Sequence, residues 1–171
     1  DLENVTPITM SPHGQEQLES VGIPSTYIPH GIDRSVYKPT PDVDGVATRE
    51  FMGVSEDTFL VGIVAANKAN GSIHRKAFAE NLLAFATFHK KYPNSQLYIH
   101  SEPSRVYGGF ELAGILRAVG LDKNAVLLPD PMTLRGGYPE SHLAAFYTAF
   151  DVPLWGYRSP HRMKCLVERQ K

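Results

Sequence analysis

Nine consecutive residues, Thr58–Ala66 (TFLVGIVAA), carry no polar side chain after the first, and this run constrains the fold more than any other feature of the chain. A half-exposed strand alternates apolar with polar residues, whereas an unbroken apolar run of this length suits a strand covered on both faces. Parallel strands buried in that way need long crossover connections, usually helices. The chain supplies them. Lys76 to Tyr92 sets Phe78, Leu82 and Phe85 on one helical stripe, and SQLYIHS (Ser95–Ser101) is the next strand. GGFELAGILRAVG places Leu112, Ile115, Leu116 and Val119 at helical spacing and closes on Gly120, and NAVLLPD is a third strand. YPESHLAAFYTAF, with Pro139 near its start, aligns Leu143, Phe146, Tyr147 and Phe150, and DVPLW opens a fourth strand. Strands and helices alternating at this interval predict βαβ units, an α/β fold with a Rossmann-like parallel sheet flanked by helices.

Before this regular part the pattern is looser. TPITMSPHGQEQLESVGI predicts a short strand at Ile8–Met10 and then a helix, with Ser11 as N-cap, Pro12 at the first helical position and Gly22 just past the end. STYIPHGID is a second short strand running into a turn at Gly31, and RSVYKPTPDVDGVA has turn signals but little periodicity, as a connector does. At 171 residues the chain can bury a real core. Lys+Arg 17 against Asp+Glu 18 gives a net charge of -1, which excludes a global basic field for nucleic acid or an anionic membrane. Any anion site must therefore be local. No apolar run reaches membrane-spanning length. A lone cysteine, Cys165, cannot form an internal disulfide and fits a reducing, cytoplasmic setting. A chain that starts at Asp1 rather than Met is expected to be a piece of something longer.

A local anion site has one candidate. Beyond the first long strand come Asn67 and Lys68, a small polar loop with Asn70, Gly71 and Ser72, and then Arg75 and Lys76 where the helix begins. A helix N-terminus presents unpaired N–H groups and partial positive charge, which attract phosphate. Arginine can clamp two phosphate oxygens while lysine acts as a point charge. Cations placed there are otherwise mildly unfavourable, by about 0.3–1 kcal/mol each. Two readings stand: a phosphate site, or solvated first-turn residues. Neither a Walker loop nor a dinucleotide glycine motif is present. The seven histidines form no H-x-H or H-x-x-x-H pair, so no metal site is expected.

Taken together, IPHGID…VYKP, VGIVAANK…RKAFAENLLAFATFHKKYPNSQLYIHSE and GYPESHLAAFYTAFDV resemble the group 1 retaining glycosyltransferases in order and spacing, from about Pro12 to Val152. Those enzymes have GT-B architecture, two Rossmann-like domains facing across a cleft. The resemblance implies that residues 1–30 end an acceptor-type domain and that 31–57 are the interdomain connector, with Pro29, Gly31, Asp33 and Pro39 matching the crossing motif. It further implies that 58–152 are the first part of a nucleotide-sugar-binding donor domain and that 153–171 are an atypical tail. By the same resemblance Asn67, Arg75 and Lys76, with Lys68 nearby, hold the diphosphate of a nucleotide-sugar donor, and Pro131 and Met132 fall where the nucleobase is contacted. A strand end followed by a turn accounts for LPDPM equally well. Ala77 stands where the family often has glycine, and Asn67 where many members have arginine.

Transfer of a sugar leaves negative charge on the departing diphosphate, and cations at a helix N-terminus would stabilise it as it develops. Such enzymes generally work without a bound metal or cofactor. The family's glutamate pair in a glycine-rich segment has no counterpart in PLWGYRSPHRMKCLVERQK, where Glu168 reads as a surface charge. No residue is assigned as catalytic: turn formation explains His30 and Asp33, and a strand end and a helix surface explain His100 and His142. LRGGY, at Leu134–Tyr138, reads as a turn. The chain is thus expected to be part of a glycosyltransferase that lacks the remaining half-domains, inactive alone, with an unknown acceptor and no nucleic-acid partner. The alternatives are a non-catalytic nucleotide- or phosphate-binding remnant and a GT-B-like nucleotide-sugar epimerase.

Overall fold

The computed structural model describes residues 5–69, 74 and 76–154, and the chain divides into two compact units, 1–37 and 38–171. In the first, β1 (Ile8–Thr9) and β2 (Thr26–Tyr27) pair in parallel, joined through helix α1 (Pro12–Ser20). The sequence signals for α1 are realised in detail. Ser11 Oγ accepts from the Gly14 N–H at 3.0 Å, Pro12 takes the first helical position, and Gly22 follows the helix at φ +79°, a left-handed conformation that glycine adopts without strain.

The second unit opens with a hairpin, β3 (Asp42–Val43) and β4 (Val46–Ala47), and a four-residue helix, α2 (Thr48–Phe51). These lie within the stretch read above as a connector. The turn between the strands holds Asp44 at φ 51° and Gly45 at φ 80°, the pair of positive values that an Asp-Gly hairpin turn uses.

Four parallel strands follow among the described residues: β5 (Phe59–Val64), β6 (Ser95–His100), β7 (Val126–Leu127) and β8 (Val152–Pro153), in the spatial order β7-β6-β5-β8. Helix α3 (Phe78–Lys91) connects β5 to β6, α4 (Leu112–Ala118) connects β6 to β7, and α5 (Pro131–Gly136) and α6 (Glu140–Ala149) return the chain to β8. This is a Rossmann-like α/β layer. Val61 and Ile63 of β5 and Leu97 and Ile99 of β6 meet Phe78, Leu82 and Phe85 of α3 on one face. The alternate residues Leu60 and Tyr98 meet Ala145 and Phe146 of α6 on the other, with Phe150 just beyond. Two faces of packing explain why TFLVGIVAA does not alternate. Each fully buried Leu or Phe in these clusters contributes roughly 1.5–3 kcal/mol.

Two details fix the sheet. The ring of Phe150 lies directly on Gly62, leaving no room for a Cβ at that position. Arg49 of α2 donates to the carbonyls of Thr58 (2.7 Å) and Ala149 (3.1 Å) and to Asp151 Oδ2 (2.7 Å), which also accepts the Leu60 N–H. One guanidinium therefore ties the entry of β5 to the entry of β8. Among the described residues no helix is long and apolar enough to cross a membrane.

A cavity where the strand order reverses

The chain leaves β5 for β6 on one side and returns to β8 on the other, so the strand order reverses at β5. Crevices in open parallel sheets form beyond the carboxyl ends of the strands at such a point. A cavity of about 570 Å³ lies there, lined from the β5 exit by Ala66 and Lys68, from the start of α3 by Lys76, from the β6 exit by Glu102, from the following loop by Tyr107 and from α5 by Arg135.

Asn67 also borders the cavity, but its side chain is buried (3% exposed) and engaged within the protein. Nδ2 donates to the carbonyls of Phe110 (2.7 Å) and Glu102 (3.0 Å), with a longer approach to Ser104 (3.5 Å), and Oδ1 accepts the Phe110 N–H at 2.9 Å. Its own N–H donates to Ser101 Oγ at 3.1 Å. A residue in which side-chain donor and acceptor sit on one planar group can hold both backbone groups of Phe110 at once, which aspartate or leucine cannot do. Gly109, next to it, has no room for a Cβ against Asn67. The Phe110 ring in turn stacks on His74, with centroids 3.7 Å apart and planes 18° from parallel. Asn67 thus fixes the loop after β6, and that loop carries the ring on which His74 stacks.

Lys68 is exposed, forms an isolated bridge with Gly108, and holds its ammonium 5.3 Å from the centre of the Tyr107 ring. Lys76 is half-buried, and its carbonyl accepts from Asn81 Nδ2 at 3.1 Å. Ala77 follows as the N-cap residue of α3 in the left-handed region (φ 48°, ψ 42°), and among the described residues no side chain caps the helix. The structure therefore brings Asn67, Lys68 and Lys76 to one cavity at the beginning of α3. Arg75, Asn70, Gly71 and Ser72 lie outside the described residues.

Pro131 and Met132 border neither this cavity nor a second one of about 390 Å³ between α2, α6 and the β7–α5 turn, which is lined by Phe51, Tyr98, Asp130, Tyr138, His142 and Phe146. Pro131 is the first residue of α5, a helix where the sequence suggested a strand end and a turn; Asp130 caps it, its Oδ2 accepting from the Thr133 N–H at 2.8 Å and Oγ1 at 2.9 Å. These bonds hold the Asp130 carboxyl below its ordinary range. Met132 is 74% exposed. Arg135 and Gly136, read as part of a turn, form the end of α5.

Glu102 was not singled out from the sequence, and nothing local marks it. It is 9% exposed and carries two sets of contacts. Oε1 accepts from Ser104 Oγ at 2.6 Å and from the Ser104 N–H at 3.3 Å, and Oε2 accepts from Arg135 Nε at 3.2 Å. The Ser104 hydroxyl, and then Arg135, hold its carboxyl below the usual carboxylate range, so it is ionised at neutral pH. At the β6 exit His100 is half-buried, with Nδ1 3.2 Å from Tyr98 Oη, and burial pushes its pKa down. Burial likewise pushes the Tyr98 phenol up.

No family model matches the sequence, and no curated protein does. Among solved structures, the fold is similar to the C-terminal domain of a glycosyl transferase group 1 family protein (LpcC) from Francisella tularensis. The two share 18% sequence identity at a TM-score of 0.50, over 72% of this chain and 57% of that one. This chain thus spans little more than half the length of the domain it matches. The likeness is one of fold.

Proposed function

We propose that this chain is part of a retaining, nucleotide-sugar-dependent glycosyltransferase and that the cavity beyond β5 and β6 takes the donor's diphosphate. The observation that carries the reading is the convergence of Lys68 and Lys76 on one cavity at the start of α3, at the point where the strand order reverses. The similarity of the fold to a glycosyltransferase domain supports it.

In this reading Lys76 and the adjacent Arg75 meet the diphosphate together with the first turn of α3, whose N–H groups no described side chain caps. Lys68 adds charge from the β5 exit. Asn67 shapes the cavity wall through its grip on Phe110 and leaves the anion to its neighbours. Positive charge fixed in place before reaction stabilises the leaving diphosphate more than the intact donor, which is the condition for lowering the barrier.

Calorimetric titration with uridine, guanosine and adenosine diphosphates tests this. Wild type should bind at least one of them saturably, and a Lys76→Ala/Arg75→Ala variant should bind it at least about tenfold more weakly, the loss expected for removing a charged hydrogen bond. Equal affinity in the two proteins would remove the diphosphate from this cavity.

A further inference from the structure

Lys68 and Lys76 enter the cavity from the β5 exit and from the start of α3, and a third cation enters it from α5, the helix whose sequence-derived candidates, Pro131 and Met132, do not border it. Arg135 is the fifth residue of α5, its side chain is 53% exposed, and it lines the same cavity. Only one of its nitrogens is engaged among the described residues: Nε donates to Glu102 Oε2 at 3.2 Å. Glu102 is itself immobilised by Ser104 at its other oxygen and is nine-tenths buried. A guanidinium bonded through Nε still presents its two terminal nitrogens as a fork, the geometry that matches two oxygens of one phosphate.

We propose that Arg135 is a further binding residue of this cavity, held by Glu102 through Nε so that its terminal nitrogens grip a phosphate group of the ligand from the α5 side. The proposal rests on the reading that the ligand carries a diphosphate. Glu102 is a positioning residue here: its oxygens already serve Ser104 and Arg135, so its function is to fix the direction of the fork. The ligand would then be enclosed between the α3 side and α5, elements that follow different strands. The buried carboxylate partners Arg135 while the cavity is empty, and a guanidinium, weakly hydrated compared with an ammonium, gives up the water on its terminal nitrogens readily when the anion arrives.

Inorganic pyrophosphate is the probe, titrated calorimetrically into wild type, Lys76→Ala, Arg135→Gln and Arg135→Lys. Glutamine can still donate to Glu102, so Arg135→Gln leaves the buried carboxylate partnered, and its melting temperature should stay near that of wild type. Arg135→Gln should bind pyrophosphate about tenfold more weakly, and Arg135→Lys, which keeps the charge without the fork, should fall between it and wild type. Affinity within twofold of wild type for Arg135→Gln, alongside a clear loss for Lys76→Ala, would overturn the role of Arg135 and leave the diphosphate reading standing. A wild type that binds neither pyrophosphate nor any nucleoside diphosphate would overturn both.

Discussion

Asn67 grips both backbone polar groups of Phe110, accepting its N–H at 2.9 Å and donating to its carbonyl at 2.7 Å, across 43 residues of sequence. Replacing the amide by a carboxylate of the same shape would set an oxygen against the carbonyls of Phe110 and Glu102, with no donor left to satisfy them. Asn67→Asp should therefore destabilise the protein by about 3 kcal/mol or more, and Asn67→Ala by roughly 2–3 kcal/mol from the buried groups left unpaired. Urea unfolding measures both. A loss under about 1 kcal/mol for the aspartate variant would contradict the geometry.

Gly62 and the Phe150 ring occupy neighbouring space with nothing to spare. Gly62→Ala should cost roughly 1–3 kcal/mol by forcing the ring away from β5. Pairing it with Phe150→Leu should cost less than the sum of the two single changes, because the smaller side chain admits the new methyl group. Strict additivity in thermal melts would show that the ring is not the obstacle.

Ala77 holds a left-handed conformation at the entrance to α3, which costs a residue with a Cβ about 1–2 kcal/mol. Ala77→Gly relieves that strain but removes a buried methyl group worth ~0.8 kcal/mol, so its stability should stay within about 1 kcal/mol of wild type. Ala77→Val, branched at the strained position, should lose about 2 kcal/mol or more. A valine variant as stable as wild type would mean that the helix starts in another way.

Acid should act in two windows. His100 packs against Tyr138 and Phe146, with the Tyr98 hydroxyl beside it, and burial lowers its pKa below the ordinary 6.5. The unfolded chain then binds the proton first, so stability should fall as pH drops below about 6.5 and level off once the folded protein also protonates. Glu102 and Asp130, whose folded values are lowered from 4.5 and 3.8, contribute stability at neutral pH that should be lost further down, as pH falls through those lowered values. In melts from about pH 7 down to about pH 3, His100→Gln should abolish the first decline and leave the second. Persistence of the first in the variant would assign it to another group.

The layered sheet was legible because its signals are local and repeated: an unalternating strand, helical stripes on Phe78–Phe85 and on Leu143–Phe150, and glycines at the helix ends. Gly120 indeed closes its helix at φ +78°. Helix α5 escaped because six residues give no periodicity to detect, although Asp130-Pro131 is a sound start signal in retrospect. The β3–β4 hairpin escaped for the same reason, with two-residue strands on either side of its Asp-Gly turn. In the cavity, the cationic side was visible as a cluster in sequence. Its other components were not: Glu102 and Arg135 are 33 residues apart, and only the return of α5 over the β6 exit makes them partners. The internal engagement of Asn67 was equally hidden, since an amide at a strand end has the same spelling whether it faces a ligand or a carbonyl.

The placement of β8 beside β5 has a consequence for how the protein is made. The bond from Leu60 to Asp151 closes over 91 residues, so the flank of β5 that pairs with β8 lacks that neighbour until Asp151 has left the ribosome. In that interval β5 can pair with β6 on one side only, and its other row of amides and carbonyls is open to any extended chain nearby. Arrival of Arg49's carboxylate partner, Asp151, is thus the event that ends the exposure, and slowing translation shortly before it should raise the share of nascent chains captured by chaperones.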